Sequence, residues 1–194
     1  VDWSGCRKRS KILRHFDLTG ATFARADLSR TNFQSAKMSN ADLSKAKLTR
    51  AYQLRADLSK AKMVKAFGMR ANLSEAVLRH ANLSKVEFFC AKLMAADLSG
   101  ANLKGAQLSR ADLTAANLDA VDARHANLSR ATLTSASLDR TNLENAYLYR
   151  TDLRGVDLTA ALGLSEVQLR GACGDAETRL PAGLKPPSEW PCRS

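Results

Sequence analysis

Residues that build catalytic or metal centres are scarce in this chain: three histidines and four cysteines in 194 residues. No Cys-x-x-Cys or His-x-x-x-His spacing occurs, which argues against a structural metal. His15, His80 and His125 have no Ser or Cys partner at a spacing that would assemble a nucleophile and base. There is no glycine-rich phosphate loop and no heptad pattern for a coiled coil. No apolar run approaches the ~20 residues a membrane-spanning helix needs; the most apolar stretch, 86–96, is broken by Glu87 and Lys92. The expectation is a protein without catalysis, cofactor or metal.

A repeat fills the chain instead. Residues 21–160 read as 28 consecutive pentads of the form Ala-Asp/Asn-Leu-Ser-basic, with no slip of frame. The central position is Leu, Phe or Met in 25 of them, the exceptions being Gln53, Gly68 and Ala123; the position two before it is Ala in 22. Ala and Leu favour helix, but a step of five turns the apolar position by about 140° and scatters the leucines around a helix axis. In extended backbone, Ala and the central residue point the same way. The next Ala lies three residues on, so the chain must bend once per pentad to keep every apolar residue inside. Four bends close a square coil of about 20 residues, and stacked coils make a parallel β-helix, an all-β fold. Arg30, Arg50, Arg70, Arg110, Arg130 and Arg150 recur at multiples of 20, with Cys90 breaking the series, and Gly68 would lie below the oversized Phe88.

The runs Ala26-Asp27-Leu28-Ser29-Arg30, Ala96-Asp97-Leu98-Ser99-Gly100 and Ala126-Asn127-Leu128-Ser129-Arg130 resemble the pentapeptide-repeat family over roughly three quarters of the chain. The resemblance implies a right-handed quadrilateral β-helix of about seven coils, a rod roughly 34 Å long at ordinary strand spacing. It also implies that family members include DNA mimics that bind type II topoisomerases and protect them from quinolones. That role needs an acidic surface, and this chain carries a net +11, so the mimic role is disfavoured unless one side of the rod is locally acidic.

Residues 1–20 are expected to form an N-terminal cap, with Trp3, Ile12, Leu13 and Phe16 as apolar cover. Past 160 the repeat decays, and 161–194 reads as a C-terminal cap and Pro-rich tail. A short helix is expected from Ser165 as N-cap to a stop at Gly171. All four prolines fall within 180–192, beside Trp190. Leu164, Val167, Leu169 and Trp190 would either cover the last coil or make a homodimer surface, since family members often pair through this end; the cap is preferred. Cys173 and Cys192 could close a loop worth roughly 3 kcal/mol, and a bridge or two free thiols fit the sequence equally. The resemblance of both termini to exported relatives tilts the expected location towards periplasmic or secreted, with cytoplasmic as the alternative.

Charge is unevenly placed. Residues 1–97 hold 19 Lys/Arg and 8 Asp/Glu, whereas 98–194 hold 11 of each. In a four-sided register Arg25, Lys45, Lys65 and Lys85 end the pentads of one side and the arginine series those of the next. Stacked arginines repel by roughly 1 kcal/mol per neighbouring pair in water, and a bound polyanion would relieve this. Solvated corners duplicated with their arginines, partly neutralised by Asp27, Glu87 and Asp112, account for the series too and are the preferred reading. Phe67, Met69 and Phe89 take outward positions on the arginine side, suited to protein anchoring or base stacking. Alternatively, bulges at Gln53-Leu54 and Gly68-Met69 swing Leu54 or Met69 inward. The function expected is a non-catalytic scaffold that binds a macromolecule, a protein in the first instance, through this basic and partly aromatic face. Binding of a polyanion, either nucleic acid or an anionic envelope polymer, is the alternative.

Overall fold

The computed structural model describes residues 1–190. Its backbone is a parallel ladder of period 20. Asp2 pairs with Thr22, Arg7 with Asp27, Ile12 with Asn32 and Asp17 with Lys37, and the columns continue upward from there, the fourth with a break between Ser137 and Asp157. A turn follows every pairing residue, so each coil has four sides, called here the first to fourth faces in chain order. The ladder begins at Asp2, which makes residues 1–20 a coil in register with those above, one more than the pentads read from 21 onward supply.

A pentad with Asp or Asn at its second position can give all five of its backbone N–H groups partners. In 26–30, Ala26 donates to Phe23 O (3.0 Å) and closes the turn, and Asp27 donates to Cys6 O (2.9 Å) in the coil below. Leu28 and Arg30 donate to Lys47 O (2.8 Å) and Thr49 O (3.0 Å) in the coil above. The N–H left over, on Ser29, is taken by the Asp27 carboxylate at 3.2 Å. All 17 Asp and Asn residues at this pentad position make the same bond. That is why the repeat carries a short acid or amide there: only a side chain of this reach folds back two residues along the chain.

The bends have a single geometry. Every fifth residue from Gly5 to Gly155 has a positive φ, and only five of these 31 are glycine. A positive φ at the third residue of a turn closed by a bond from the fourth N–H to the first C=O is the mark of a type II turn. Holding a non-glycine residue there costs roughly 1–2 kcal/mol, a strain maintained by the inter-coil bonds of the corner N–H and its neighbours. Inside, the central residues and the Ala before them are buried from Leu13 to Leu158. Threonine replaces Ala at three inner corners, and each hydroxyl donates to a carbonyl in the coil below: Thr31 to Lys8 O (3.0 Å), Thr141 to Leu118 O (2.6 Å) and Thr151 to Leu128 O (2.8 Å).

The two ends differ. At the first coil Trp3 stands edge-on against Phe23, at 5.7 Å between ring centres, and Lys8 lies over the Trp3 ring at 5.2 Å. Leu13 is buried, but Ile12 and Phe16 are 75% and 55% exposed and give none of the cover expected of them. Ile12 takes an outward position, and Phe16 takes an inner corner of the first described coil. Lys8 occupies a pentad centre in this coil and is half-buried.

At the other end the chain makes a ninth, irregular circuit in which Leu162 pairs with Asn142, Cys173 with Asp152 and Arg179 with Asp157. A helix, α1 (Glu166–Gly171), takes the place of the second-face strand. Ser165 caps it in a reciprocal pair with Gln168, whose amide also reaches Leu143 O (2.8 Å) and Ala146 O (2.9 Å). Leu169 is fully buried over the last coil, Leu164 and Trp190 pack against the core, and Val167 is left exposed. The Trp190 indole donates to Ala172 O at 3.0 Å and covers Gly174, where a Cβ would clash with the six-membered part of the ring. Gly171 is the last helical residue, not the one after it. No helix among the described residues is long and apolar enough to cross a membrane.

Candidate binding face

The pentad corners project the cations. Arg30, Arg50, Arg70, Arg110, Arg130 and Arg150 all have φ between 54° and 59°, are exposed, and form one column at the far edge of the second face. Adjacent rungs are about 4.8 Å apart at ordinary strand spacing. Arg25, Lys45, Lys65 and Lys85, with φ of 56° to 60°, form a second column at the near edge of the same face. Two cationic rails therefore border one side of the rod.

The sidedness exceeds what the N-terminal excess suggested. Over coils 1–160 the second face holds ten Lys/Arg and two Asp/Glu, whereas the opposite, fourth face holds four and six. Ion pairing sharpens the contrast. Arginines 9, 55, 79, 124, 140, 154 and 179 each meet a carboxylate. Among the described residues, none of the six ladder arginines does. Asp27, expected to neutralise the ladder, is held by Arg9 at 2.6 Å.

Between the rails runs a floor of outward positions. Phe67 and Phe89 are half-buried there and Met69 is 38% exposed. The bulge alternative does not hold. Lys47 pairs with Phe67 and Phe67 with Glu87, while Asn32 pairs with Tyr52 and Tyr52 with Asn72, so the register passes unbroken through both sites. Gln53 points inward and is fully buried, Leu54 stays outward, and Met69 remains on the surface. The Gly68 vacancy is filled from above: a Cβ on Gly68 would lie 2.6 Å from Phe88 Cδ1.

Two further floor residues were missed in the sequence. Tyr147 and Tyr149 lie four coils above Phe67 and Met69, 58% and 44% exposed. Their rings stack at 6.2 Å between centres and 23° between planes, with the Arg150 guanidinium 5.7 Å over Tyr149. The signal was available, since 147 and 149 are 67 and 69 plus four coils of 20.

Cys90, the gap in the ladder, is a free thiol of intermediate exposure, and Cys6 is free and exposed. The expected Cys173–Cys192 pair involves Cys192, which lies outside the described residues. His15, His80 and His125 stand on the third, fourth and first faces. Among the described residues no three His, Cys, Asp or Glu gather to hold a metal.

Several turn carboxylates are held below their ordinary value of 3.8. At Asp122 and Asp152 the leading cause is a hydrogen bond from Arg124 and Arg154, with burial opposing it. At Asp157 it is the Thr159 N–H. At Asp27 burial pushes upward, and Ser29 and Arg9 together outweigh it. A depressed carboxyl contributes stability that is full above its unfolded pKa and is lost as pH falls through the folded value. The thermal midpoint should therefore stay level from neutral pH to about pH 5 and decline below about pH 4, as followed by circular dichroism. A midpoint that rises on acidification would contradict these shifts.

Square parallel coils with inward Ala and Leu and outward cations define a solenoid of five-residue units. The family model for pentapeptide repeats matches residues 12–51, 55–88, 91–130 and 126–162, in eight copies. The chain belongs to the pentapeptide-repeat family, whose fold is the right-handed quadrilateral β-helix that the resemblance implied. Among solved structures it is similar to HetL, a pentapeptide repeat protein involved in heterocyst differentiation regulation from the cyanobacterium Nostoc sp. strain PCC 7120. Identity is 29%, coverage 94% of this chain and 92% of that one, and the TM-score 0.38. Full-length QnrB1, a plasmid-mediated fluoroquinolone resistance protein, is 16% identical with 94% of each chain covered and a TM-score of 0.35. A pentapeptide repeat protein from the Arabidopsis thaliana thylakoid lumen is 24% identical over 72% of this chain and 70% of that one, with a TM-score of 0.21. A comparison with curated proteins gives no match.

Proposed function

We propose that this protein is a non-catalytic, rod-shaped scaffold that binds an anionic macromolecule through its second face. The observation that carries this is the column of six exposed ladder arginines, none of which meets a carboxylate among the described residues. Seven other arginines on the same rod found acids; these six stand in line with none. Guanidinium groups at fixed spacing suit carboxylate or phosphate partners, which they bind through paired hydrogen bonds. A protein, the partner expected from the sequence, fits that description if its surface is acidic. A linear polyanion fits it better, because it brings anions to every rung.

The DNA-mimic role is the weakest reading. The fourth face, where acids are most concentrated, still carries four cations against six carboxylates. A homodimer through the C-terminal end would have to use Leu162 and Val167, because Leu164, Leu169 and Trp190 are committed to the core; the end is read as a cap.

Retention on heparin and on duplex DNA across a salt gradient tests the proposal. Steep loss with salt is the expected result, and the triple variant Arg50→Glu, Arg70→Glu, Arg110→Glu should elute at markedly lower salt. Unchanged elution of that variant would remove the ladder as the site.

A further inference from the structure

We propose that the second face binds single-stranded nucleic acid, with phosphates on the corner cations and bases stacked on Phe67, Phe89, Tyr147 and Tyr149. This rests on the reading of that face as the binding side and goes further by naming its ligand. Three observations converge. First, the cations form two rails in coils 21–80, one at each edge of the face; Lys85 stands alone in coil 81–100, where Cys90 interrupts the arginines, and the arginine rail resumes from Arg110 to Arg150. Second, the floor between them is a parallel ladder of short paired segments bearing outward aromatic rings at coils 61–80, 81–100 and 141–160. Third, the uppermost of these rings are already stacked on each other, with a guanidinium over one, the arrangement in which a base adds to the pile.

The alternatives use only part of this. Sulfated or carboxylated glycans supply anions but no flat π faces. A duplex presents phosphates with its bases stacked inside, and its grooves are read by a helix or ribbon that enters them, which a flat side of a square rod does not do. Bases of a single strand can be splayed out onto aromatic side chains while the backbone follows the cations. From Arg30 to Arg150 are six coil-to-coil steps, about 29 Å. That length accommodates roughly eight nucleotides at a stacked rise of about 3.4 Å.

Fluorescence anisotropy with a labelled dT20 or U20 oligonucleotide, a 20-base-pair duplex, heparin and polyglutamate tests this on the full chain. The expected result is tighter binding of the single strands than of the duplex. The log–log salt slope should be about −4, from six arginines at about 0.7 each. Phe67→Ala with Phe89→Ala should weaken dT20 binding by about fivefold to a hundredfold and leave the slope and heparin affinity unchanged. Tyr147→Ser with Tyr149→Ser should act in the same direction from the other end of the face, and serves if the first pair disturbs the fold by circular dichroism. Arg50→Gln with Arg70→Gln should make the slope shallower by about 1.4 for both ligands. If heparin and dT20 bind alike and both aromatic pairs are silent, base stacking is overturned while the anionic face survives. If polyglutamate alone is captured, the ligand is an acidic protein and the proposal fails. If nothing binds, the reading of the face fails with it.

Discussion

Gln53→Leu is expected to stabilise the protein by about 2–4 kcal/mol and to raise its thermal midpoint by roughly 5–15 °C. Gln53 sits at a pentad centre on the third face, where its neighbours one coil below and above are Phe33 and Leu73. It is fully buried, and neither amide atom has a hydrogen-bond partner. An unpartnered buried donor or acceptor costs about 1–3 kcal/mol, and the amide has one of each. The threonines at inner corners show the contrast, since each of their hydroxyls reaches a carbonyl in the coil below. Leucine matches the volume and is what most other pentads use. Urea and thermal unfolding would measure the gain, and a variant less stable than the parent would show that the amide is partnered in solution.

The second large effect is a coupled pair. Phe88→Ala should cost about 3–5 kcal/mol, because the ring fills both its own place and the one Gly68 vacates. Gly68→Leu alone should also destabilise, by about 2 kcal/mol or more, since even a Cβ there falls 2.6 Å from Phe88 Cδ1. The φ of Gly68 lies outside the left-handed region, so glycine is needed for space and not for the backbone. The double variant Gly68→Leu with Phe88→Leu restores the ordinary repeat and should lie within about 1 kcal/mol of the parent. Costs that simply add in the double variant would mean the two residues do not share a volume.

Much of this was legible in the sequence because period and chemistry agree. A five-residue spacing of Ala and Leu has one extended solution, and Asp or Asn before the centre marks the Asx bond that completes each turn. The Gly68–Phe88 exchange was legible for the same reason: residues 20 apart are neighbours. What failed were places where sequence character was given precedence over register. Met69 and Leu54 looked apolar enough to turn inward, but slipping one pentad would break the inter-coil bonds of every coil above, so a buried amide at Gln53 is the smaller cost. Ile12 and Phe16 looked like cover, but the frame points Ile12 outward and sets Phe16 at a corner of the first described coil, and both are exposed. Tyr147 and Tyr149 were overlooked because they are far in sequence from the basic half. The absence of acids beside the ladder arginines could not be read at all, because ion pairing depends on which rotamers meet across coils.

Because one circuit of the square takes 20 residues, direction around the rod is written in residue number alone. Inserting a whole circuit would lengthen the strip by one step and leave every side facing as before. Inserting a single pentad after Cys90 would rotate everything downstream by a quarter turn. Lys45, Lys65, Phe67 and Phe89 would keep their bearing, while Arg110, Arg130, Tyr147, Tyr149 and Arg150 would move to the neighbouring side. Natural or engineered changes of length in this chain thus fall into two kinds, those that extend its surface pattern and those that cut it into segments aimed in different directions.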